Sequence, residues 1–177
     1  MERFNLEGLK VSLVYPPYGA IKNEPGIKAV KENYGVFPTL SLMYVAGCLE
    51  QHGVEVQLID VNAENLTLEE TVTRLEEFGA NYIGYTITTY LFYQTLSWVK
   101  AIKEKVPLPT IVGGVHLGMY PLESMSHDCL DYAVTGEAEA TLPHLLDALM
   151  RGNELGGIKG LVEIVVLSHL VRMVGVP

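Results

Sequence analysis

The chain has 177 residues, 49% hydrophobic and 19% charged, which fits one domain with a buried core and excludes a disordered tail or a fibre. Its formal net charge of −9, with no local Lys/Arg cluster to offset it, argues against nucleic acid as a partner. No signal-peptide core follows Met1-Glu2-Arg3-Phe4, and no run approaches the ~20 apolar residues of a membrane span, so the cytoplasm is the expected compartment.

Short apolar runs alternate with segments of helical spacing. Leu9 to Tyr15 reads as a first strand, stopped by Pro16-Pro17 and followed by a long loop with Gly19, Pro25, Gly26, Gly35 and Pro38. From Thr39, Leu42, Val45, Ala46 and Leu49 recur at helical spacing until Gly53. Val54 to Asp60 reads as a second strand. Thr67-Leu68-Glu69-Glu70 is a capping box that opens a helix with Leu68, Val72 and Leu75 inward and Gly79 at its end.

Tyr82 to Thr86 reads as a third strand, followed by a helix carrying Phe92, Leu96, Val99 and Ile102 and ending near Pro107. Thr110-Ile111-Val112 is a fourth strand running into Gly113-Gly114, and Pro121 to Ser126 makes one or two helical turns. Asp131 to Thr135 is a fifth strand, and Leu142, Leu145, Leu146 and Leu149 mark a last helix stopped by Gly152. This rhythm indicates βαβ units, hence an α/β fold with a doubly wound, parallel, five-stranded sheet of the flavodoxin-like (Rossmann-like) kind. The expected division is an α/β domain over residues 1–160 and an apolar tail over 161–177. Gly160-Leu161-Val162 could start a sixth strand, and the tail then reads either as a strand plus a partner-docking helix or as a non-native end. An exposed tail of this kind favours self-association, such as a homodimer.

In an open parallel sheet, ligands bind outside the carboxyl ends of the strands. The loops there, 16–19, 86–90, 113–118 and 136–139, are rich in Gly, Pro, Thr or Tyr and nearly free of Lys and Arg. That composition suits close backbone approach and hydroxyl hydrogen bonds and is poor for clamping a polyphosphate. Neither G-x-G-x-x-G nor G-x-x-x-x-G-K-[ST] occurs, and Tyr15-Pro16-Pro17 stands where a receiver domain needs acidic residues. Gly113-Gly114 either admits a bulky ligand against the backbone or makes a tight turn. Thr86 and Thr88 could face one ligand, with Thr89 beside them, although Thr is also an ordinary strand and capping residue. His116 could be a ligand, a base or a polar contact, but a lone loop His is usually solvated or hydrogen-bonded. Glu137 and Glu139 suit a helix amino terminus. Tyr18, Tyr34, Tyr44, Tyr90 and Tyr93 suit the surroundings of a large, partly apolar ligand. Cys48 and Cys129 read as buried, inert thiols with neither metal-ligand spacing nor a disulfide framework. No catalytic set is legible, so the chain reads as a binding module.

Five motifs in order carry a resemblance: Pro16-Pro17-Tyr18-Gly19, Pro38-Thr39-Leu40-Ser41-Leu42-Met43-Tyr44-Val45-Ala46, Ile83-Gly84-Tyr85-Thr86, Ile111-Val112-Gly113-Gly114-Val115-His116, and Asp131 through Glu139. Together they resemble the cobalamin-binding domain at the amino end of radical S-adenosylmethionine enzymes, a group that includes methyltransferases and the anaerobic magnesium-protoporphyrin monomethyl ester cyclase. The resemblance covers roughly residues 9–162. It implies cobalamin as cofactor, with Thr86, Thr88 and Thr89 near its nucleotide tail and Gly113 and Gly114 letting that tail pass. It further implies Pro17, Tyr18 and Gly19 near the lower face of the corrin, His116 beside the site, and Gly136 and Glu137 lining the tail.

The pattern is not complete. A D-x-H-x-x-G motif, whose His ligates cobalt in older cobalamin domains, is absent after the first strand. The last motif of the family usually reads Gly-Glu-Gly-Glu, and Ala138 replaces the second Gly here. No C-x-x-x-C-x-x-C motif exists, so S-adenosylmethionine and the iron–sulfur cluster would belong to a partner radical domain, in cis in a longer protein or in trans. The expected function is a cobalamin-binding module for methyl transfer or oxidative cyclisation, inactive in isolation. The alternatives are a non-cofactor or vestigial interaction domain of the same fold and, with less support, a flavodoxin-like flavin carrier.

Overall fold

In the computed structural model, which describes residues 3–17, 38–162, 164–167 and 170–173, the apolar runs form a six-stranded sheet in the order β2-β1-β3-β4-β5-β6. The strands are β1 (Lys10–Tyr15), β2 (Glu55–Asp60), β3 (Tyr82–Thr86), β4 (Thr110–Gly113), β5 (Tyr132–Val134) and β6 (Leu161–Val162). The first five are parallel, as expected, and β6 adds an antiparallel edge through the pairs Ala133–Val162 and Val134–Leu161. The sixth strand read at Leu161-Val162 therefore belongs to the main sheet.

Among the described residues, six helices connect these strands: α1 (Leu40–Gln51), α2 (Leu68–Phe78), α3 (Phe92–Lys105), α4 (Val115–Met119), α5 (Pro121–Met125) and α6 (Ala138–Arg151). Strand alternation sends successive side chains to opposite faces, so one sheet feeds two cores. Val11, Leu13, Ile111 and Val134 pack with Leu42, Leu49, Leu145 and Leu146 of α1 and α6. Val14, Ile83, Tyr85 and Val112 pack with Leu75, Phe92, Val99 and Leu117 of α2, α3 and α4.

Local chemistry sets the helix ends. The Thr67 hydroxyl accepts from the Glu70 N–H at 3.2 Å, and the Glu70 carboxylate accepts from the Thr67 N–H at 2.8 Å, completing the expected capping box. The Thr67 N–H, and then the Thr67 hydroxyl donating to the same carboxylate at 2.9 Å, hold the Glu70 carboxyl below the usual carboxylate range. Gly79 and Gly152 end α2 and α6 in the left-handed conformation.

One expectation is resolved and another corrected. In the tail, where a helix is one of two open alternatives, the described residues are strands: Ile164–Leu167 (β7) and Leu170–Met173 (β8) pair antiparallel as a separate two-stranded sheet. The segment after Gly114 is not a loop but α4, so His116 is helical. Among the described residues, no helix is long and apolar enough to cross a membrane. Cys48 is buried and Cys129 partly so, and burial raises both thiols above their ordinary value, with Glu139 adding to the effect at Cys48.

Candidate ligand groove

The strand order reverses between β1 and β3, where connections leave in opposite directions and open a crevice at the carboxyl ends. A groove of about 190 Å³ occupies this place on the α1/α6 face. Its floor is Leu13 of β1, Gly84 and Thr86 of β3, Ile111 and Gly113 of β4 and Val134 of β5. Ser41, Leu42 and Val45 of α1 form one wall, and Ala138, Glu139 and Leu142 of α6 form the other.

The groove exists because of glycine at the right parity. Gly84 pairs with Ile111 and Thr86 with Gly113 across neighbouring strands, and all four positions face the same side. A Cβ on Gly84 would stand 2.7 Å from Leu13 Cδ2, so any larger residue there would take up floor space. A Cβ on Gly113 would meet nothing closer than the Val134 carbonyl at 3.7 Å, which leaves open floor in place of a side chain.

Gly114 has a different reason. Its φ is +110°, and a Cβ would lie 2.5 Å from the Ile87 carbonyl oxygen and 2.9 Å from the Ile87 nitrogen. It makes the tight strand-to-helix turn, which two backbone bonds hold: Ile87 N–H to Gly113 O at 2.8 Å and His116 N–H to Ile87 O at 3.4 Å. Of the glycine pair, Gly113 is open to the groove while Gly114 shapes its rim.

Thr86, Gly113, Gly114, Gly136 and Glu137 come together around the groove. Thr88 and Thr89 do not join them, because the chain leaves the strand after Thr86 and turns into a 3-10 helix over Thr89–Leu91. The Thr89 hydroxyl instead meets His116 Nδ1 at 3.3 Å. His116 is 3% exposed, stacked on Phe92 with ring centroids 3.9 Å apart, and among the described residues its Nε2 has no hydrogen-bond partner. The ordinary expectation for this residue is a solvated or hydrogen-bonded loop His, and the Thr89 contact is such a hydrogen bond. The observed ring is sealed into the opposite core, out of reach of the groove. Pro17 follows β1 at the carboxyl edge, beyond Pro16, whose carbonyl accepts from the Asn62 side-chain amide at 2.8 Å. Tyr18, Gly19 and Tyr34 lie outside the described residues.

Among the described residues, the lining holds Glu137 and Glu139 and no Lys or Arg. Glu137 precedes α6 without making a side-chain cap, and Glu139 lies in its first turn, where the helix dipole favours a carboxylate. Among the described residues, no group of three or more His, Cys, Asp or Glu is placed to hold a metal ion. Sequence reading missed Leu13, Ser41, Leu42, Val45 and Leu142 as lining. The strand alternation of Leu13 and the position of Leu42 and Val45 on the inner face of α1 carried that information.

The family model of the B12 binding domain matches residues 27–146, more than half of the chain. The chain belongs to the B12-binding domain family. Its cofactor class is cobalamin. It is 35% identical over 156 residues to an uncharacterized methyltransferase, PH0819, of Pyrococcus horikoshii, covering 86% of this chain and 32% of that protein. It is 29% identical over 161 residues to the anaerobic magnesium-protoporphyrin IX monomethyl ester cyclase of a Synechocystis species, covering 86% of this chain and 30% of that protein. This B12-binding chain thus spans about a third of the length of these curated relatives. Among solved structures, the radical S-adenosylmethionine methyltransferase TsrM of Kitasatospora setae, with cobalamin and a 4Fe–4S cluster bound, superposes with a TM-score of 0.70 at 20% identity, covering 94% of this chain and 30% of that one. The cobalamin-dependent radical enzyme OxsB, with aqua-cobalamin and S-adenosylmethionine bound, gives 0.72 at 21% identity, covering 97% of this chain and 23% of that one. At these identities the likeness establishes the fold.

Proposed function

We propose that this chain holds cobalamin at the carboxyl ends of β3, β4 and β5 and presents it to a radical S-adenosylmethionine catalytic domain, in cis or in trans. The observation that carries this reading is the glycine-floored apolar groove at the strand reversal of a B12-binding domain. Small-molecule pockets commonly measure roughly 300–1,000 Å³, so a groove of about 190 Å³ is too small for a corrin. It suits the slender nucleotide tail, with the macrocycle lying over the mouth. Ser41, Thr86 and the backbone around Gly136 supply hydrogen-bonding groups at the rim. Glu137 and Glu139 suit the amide N–H groups that fringe a corrin.

The cofactor would supply a cobalt centre able to carry a methyl group. The protein's own share is binding and orientation, with Ser41, Thr86, Glu137 and Glu139 as the polar side chains of the described lining. His116 lies in the other core, so a cobalt ligand from that residue forms no part of the proposal.

Exposed apolar side chains support the partner half of the reading. Tyr90, Tyr93, Val115, Met119, Tyr120 and Leu122 flank the carboxyl ends of β3 and β4 and are 45–68% exposed, a grouping typical of an interaction surface. A catalytic domain docked there would close the cofactor between two walls. Residues 1–160 together with the edge strand β6, Leu161–Val162, would form the binding module. The downstream chemistry would be methyl transfer or oxidative cyclisation, and the isolated chain would show no turnover.

The test is retention of hydroxocobalamin through gel filtration. Corrin absorbance near one equivalent supports the reading. A colourless protein that is still folded by circular dichroism overturns it for this chain alone and turns attention to a non-cofactor interaction domain.

A further inference from the structure

We propose that the segment before β1, residues 3–9, is a strap fastened to α1 and α6 by a latch that opens when His52 takes up a proton. The strap lies against the carboxyl end of α1 and the side of α6, the two helices that also wall the groove. Leu6 anchors it. Its side chain is fully buried in the cluster of Leu49, Val54, Leu145 and Leu146, and its N–H donates to the His52 carbonyl at 2.9 Å. Gly53, at φ +90°, lets the strap come close, because a Cβ there would stand 3.0 Å from Glu7 Cγ.

The latch is a second bond, donated by the Phe4 N–H to His52 Nδ1 at 3.0 Å. A backbone N–H can only donate, so Nδ1 carries a lone pair and the proton of the neutral ring sits on Nε2. Protonation puts a hydrogen on Nδ1 and sets two donors against each other. At 4% exposure, the charged ring gains water only if the strap moves away. The Phe4 ring contacts two imidazoles, with centroids 5.6 Å from His52 and 4.6 Å from His144 of α6, and it would leave with the strap.

The charged or titratable side chains that flank these contacts are Arg3 and Glu7 in the strap, Glu50 on α1, Glu55 at the start of β2, and His144 and Asp147 on α6. Glu55 pairs with Lys10, and Asp147 with Arg151. Carboxyl groups ordinarily titrate near about pH 4 and imidazoles between about pH 5 and 8, so of these groups the imidazoles change charge in that interval. The His144 contact is an edge-to-ring packing that needs no bare nitrogen, and protonating His144 therefore does not break it. The latch works or fails independently of any cofactor.

The test is amide exchange of Phe4 and Leu6 by NMR in the full chain at about pH 8 and about pH 5, each rate divided by its intrinsic rate. Nitrogen shifts of the His52 ring should place its proton on Nε2 at the higher pH, and a proton on Nδ1 would overturn the proposal. Protection of the Phe4 amide should fall by about tenfold or more at the lower pH, with Leu6 following and β3 and α3 unchanged. Unchanged protection at Phe4 would overturn the latch. An equal loss throughout β3 and α3 would also overturn it, as acid unfolding of the whole domain.

Two variants assign the effect to one ring. His52→Asn sets an amide oxygen near the place of Nδ1, keeps an acceptor at every pH, and should hold Phe4 protection constant across the interval. His144→Gln removes the neighbouring imidazole and should leave the pH-dependent loss intact. Persistence of the loss in the first variant, or its disappearance in the second, would overturn the assignment to His52. If His52→Asn does not fold, the wild-type His52 ring titration carries the test, and a midpoint that differs from that of Phe4 protection would overturn the latch.

Discussion

The two faces of the sheet use the same strands for opposite ends. On the α2/α3 face, the alternating positions of β3 and β4 hold Ile83, Tyr85 and Val112, roofed by Phe92, Val99 and Leu117, all 2% exposed or less. On the α1/α6 face the matching positions hold Gly84, Thr86, Ile111 and Gly113, and the missing side chains leave a groove. A filled face contributes cohesion because each buried side chain gains both transfer and packing energy. A face with two glycines forgoes part of that and keeps space for a ligand. Stability and binding are thereby separated by strand parity.

Substitutions can break or sharpen this separation. Phe92→Ala should have the largest effect on stability, about 3–5 kcal/mol in chemical denaturation, because Phe92 is 2% exposed and meets Tyr93, His116 and His127. If the faces are independent, the folded fraction should still retain cobalamin. Gly114→Ala should cost about 3 kcal/mol, from the left-handed φ and the contact with Ile87. Since Gly114 sits on the rim, this variant should weaken cobalamin retention as well, and full retention would mean that the rim adapts.

Asp131→Ala acts at the far, amino end of the strands. The carboxylate of Asp131 accepts from the Thr110 N–H at 2.6 Å and its hydroxyl at 3.0 Å, and it pairs with Lys103. Its loss should cost about 2 kcal/mol by thermal or chemical unfolding and leave corrinoid affinity unchanged. Thr67→Ala removes the cap of α2 and should cost about 1 kcal/mol, a shift of a few degrees in Tm, again without effect on binding.

The smallest effect is on pH dependence. Glu70 has a folded pKa below its unfolded value, so its contribution is present at neutral pH and is lost as pH falls through the lowered folded pKa. Glu70→Gln should abolish that acid-side loss in a plot of Tm against pH. An unchanged slope would assign the acid sensitivity to other carboxylates.

The fold was largely legible from residues. Strand-length apolar runs, the Thr67–Glu70 capping box and the stops at Gly79 and Gly152 are local signals, and local hydrogen bonding and backbone conformation honour them. The antiparallel edge at Leu161–Val162 was suggested by its apolar pair, but its direction depends on where α6 delivers the chain. The tail stays open in the sequence because an apolar run without a clear period suits a helix or a strand equally, and over its described residues strand pairing prevails.

The site was legible in part. Thr86, Gly113, Gly136 and Glu137 could be located because strand ends in a parallel sheet converge at one edge. His116 and Thr89 are adjacent in sequence to that edge and yet meet each other away from the groove, since each residue of helical or 3-10 rotation turns the side chain by about 100–120°.

By itself, the sequence determined the order of elements, their caps, the acidic surface and a run of motifs that matches one family, because these depend on neighbours along the chain and on composition. Only the tertiary structure decided that Gly84 joins Gly113 in one floor, that Gly114 serves a turn, and that α1 and α6 wall the groove. Those outcomes depend on register between strands and on which face each crossover helix covers, and both are set by long-range packing rather than by any local stretch of residues.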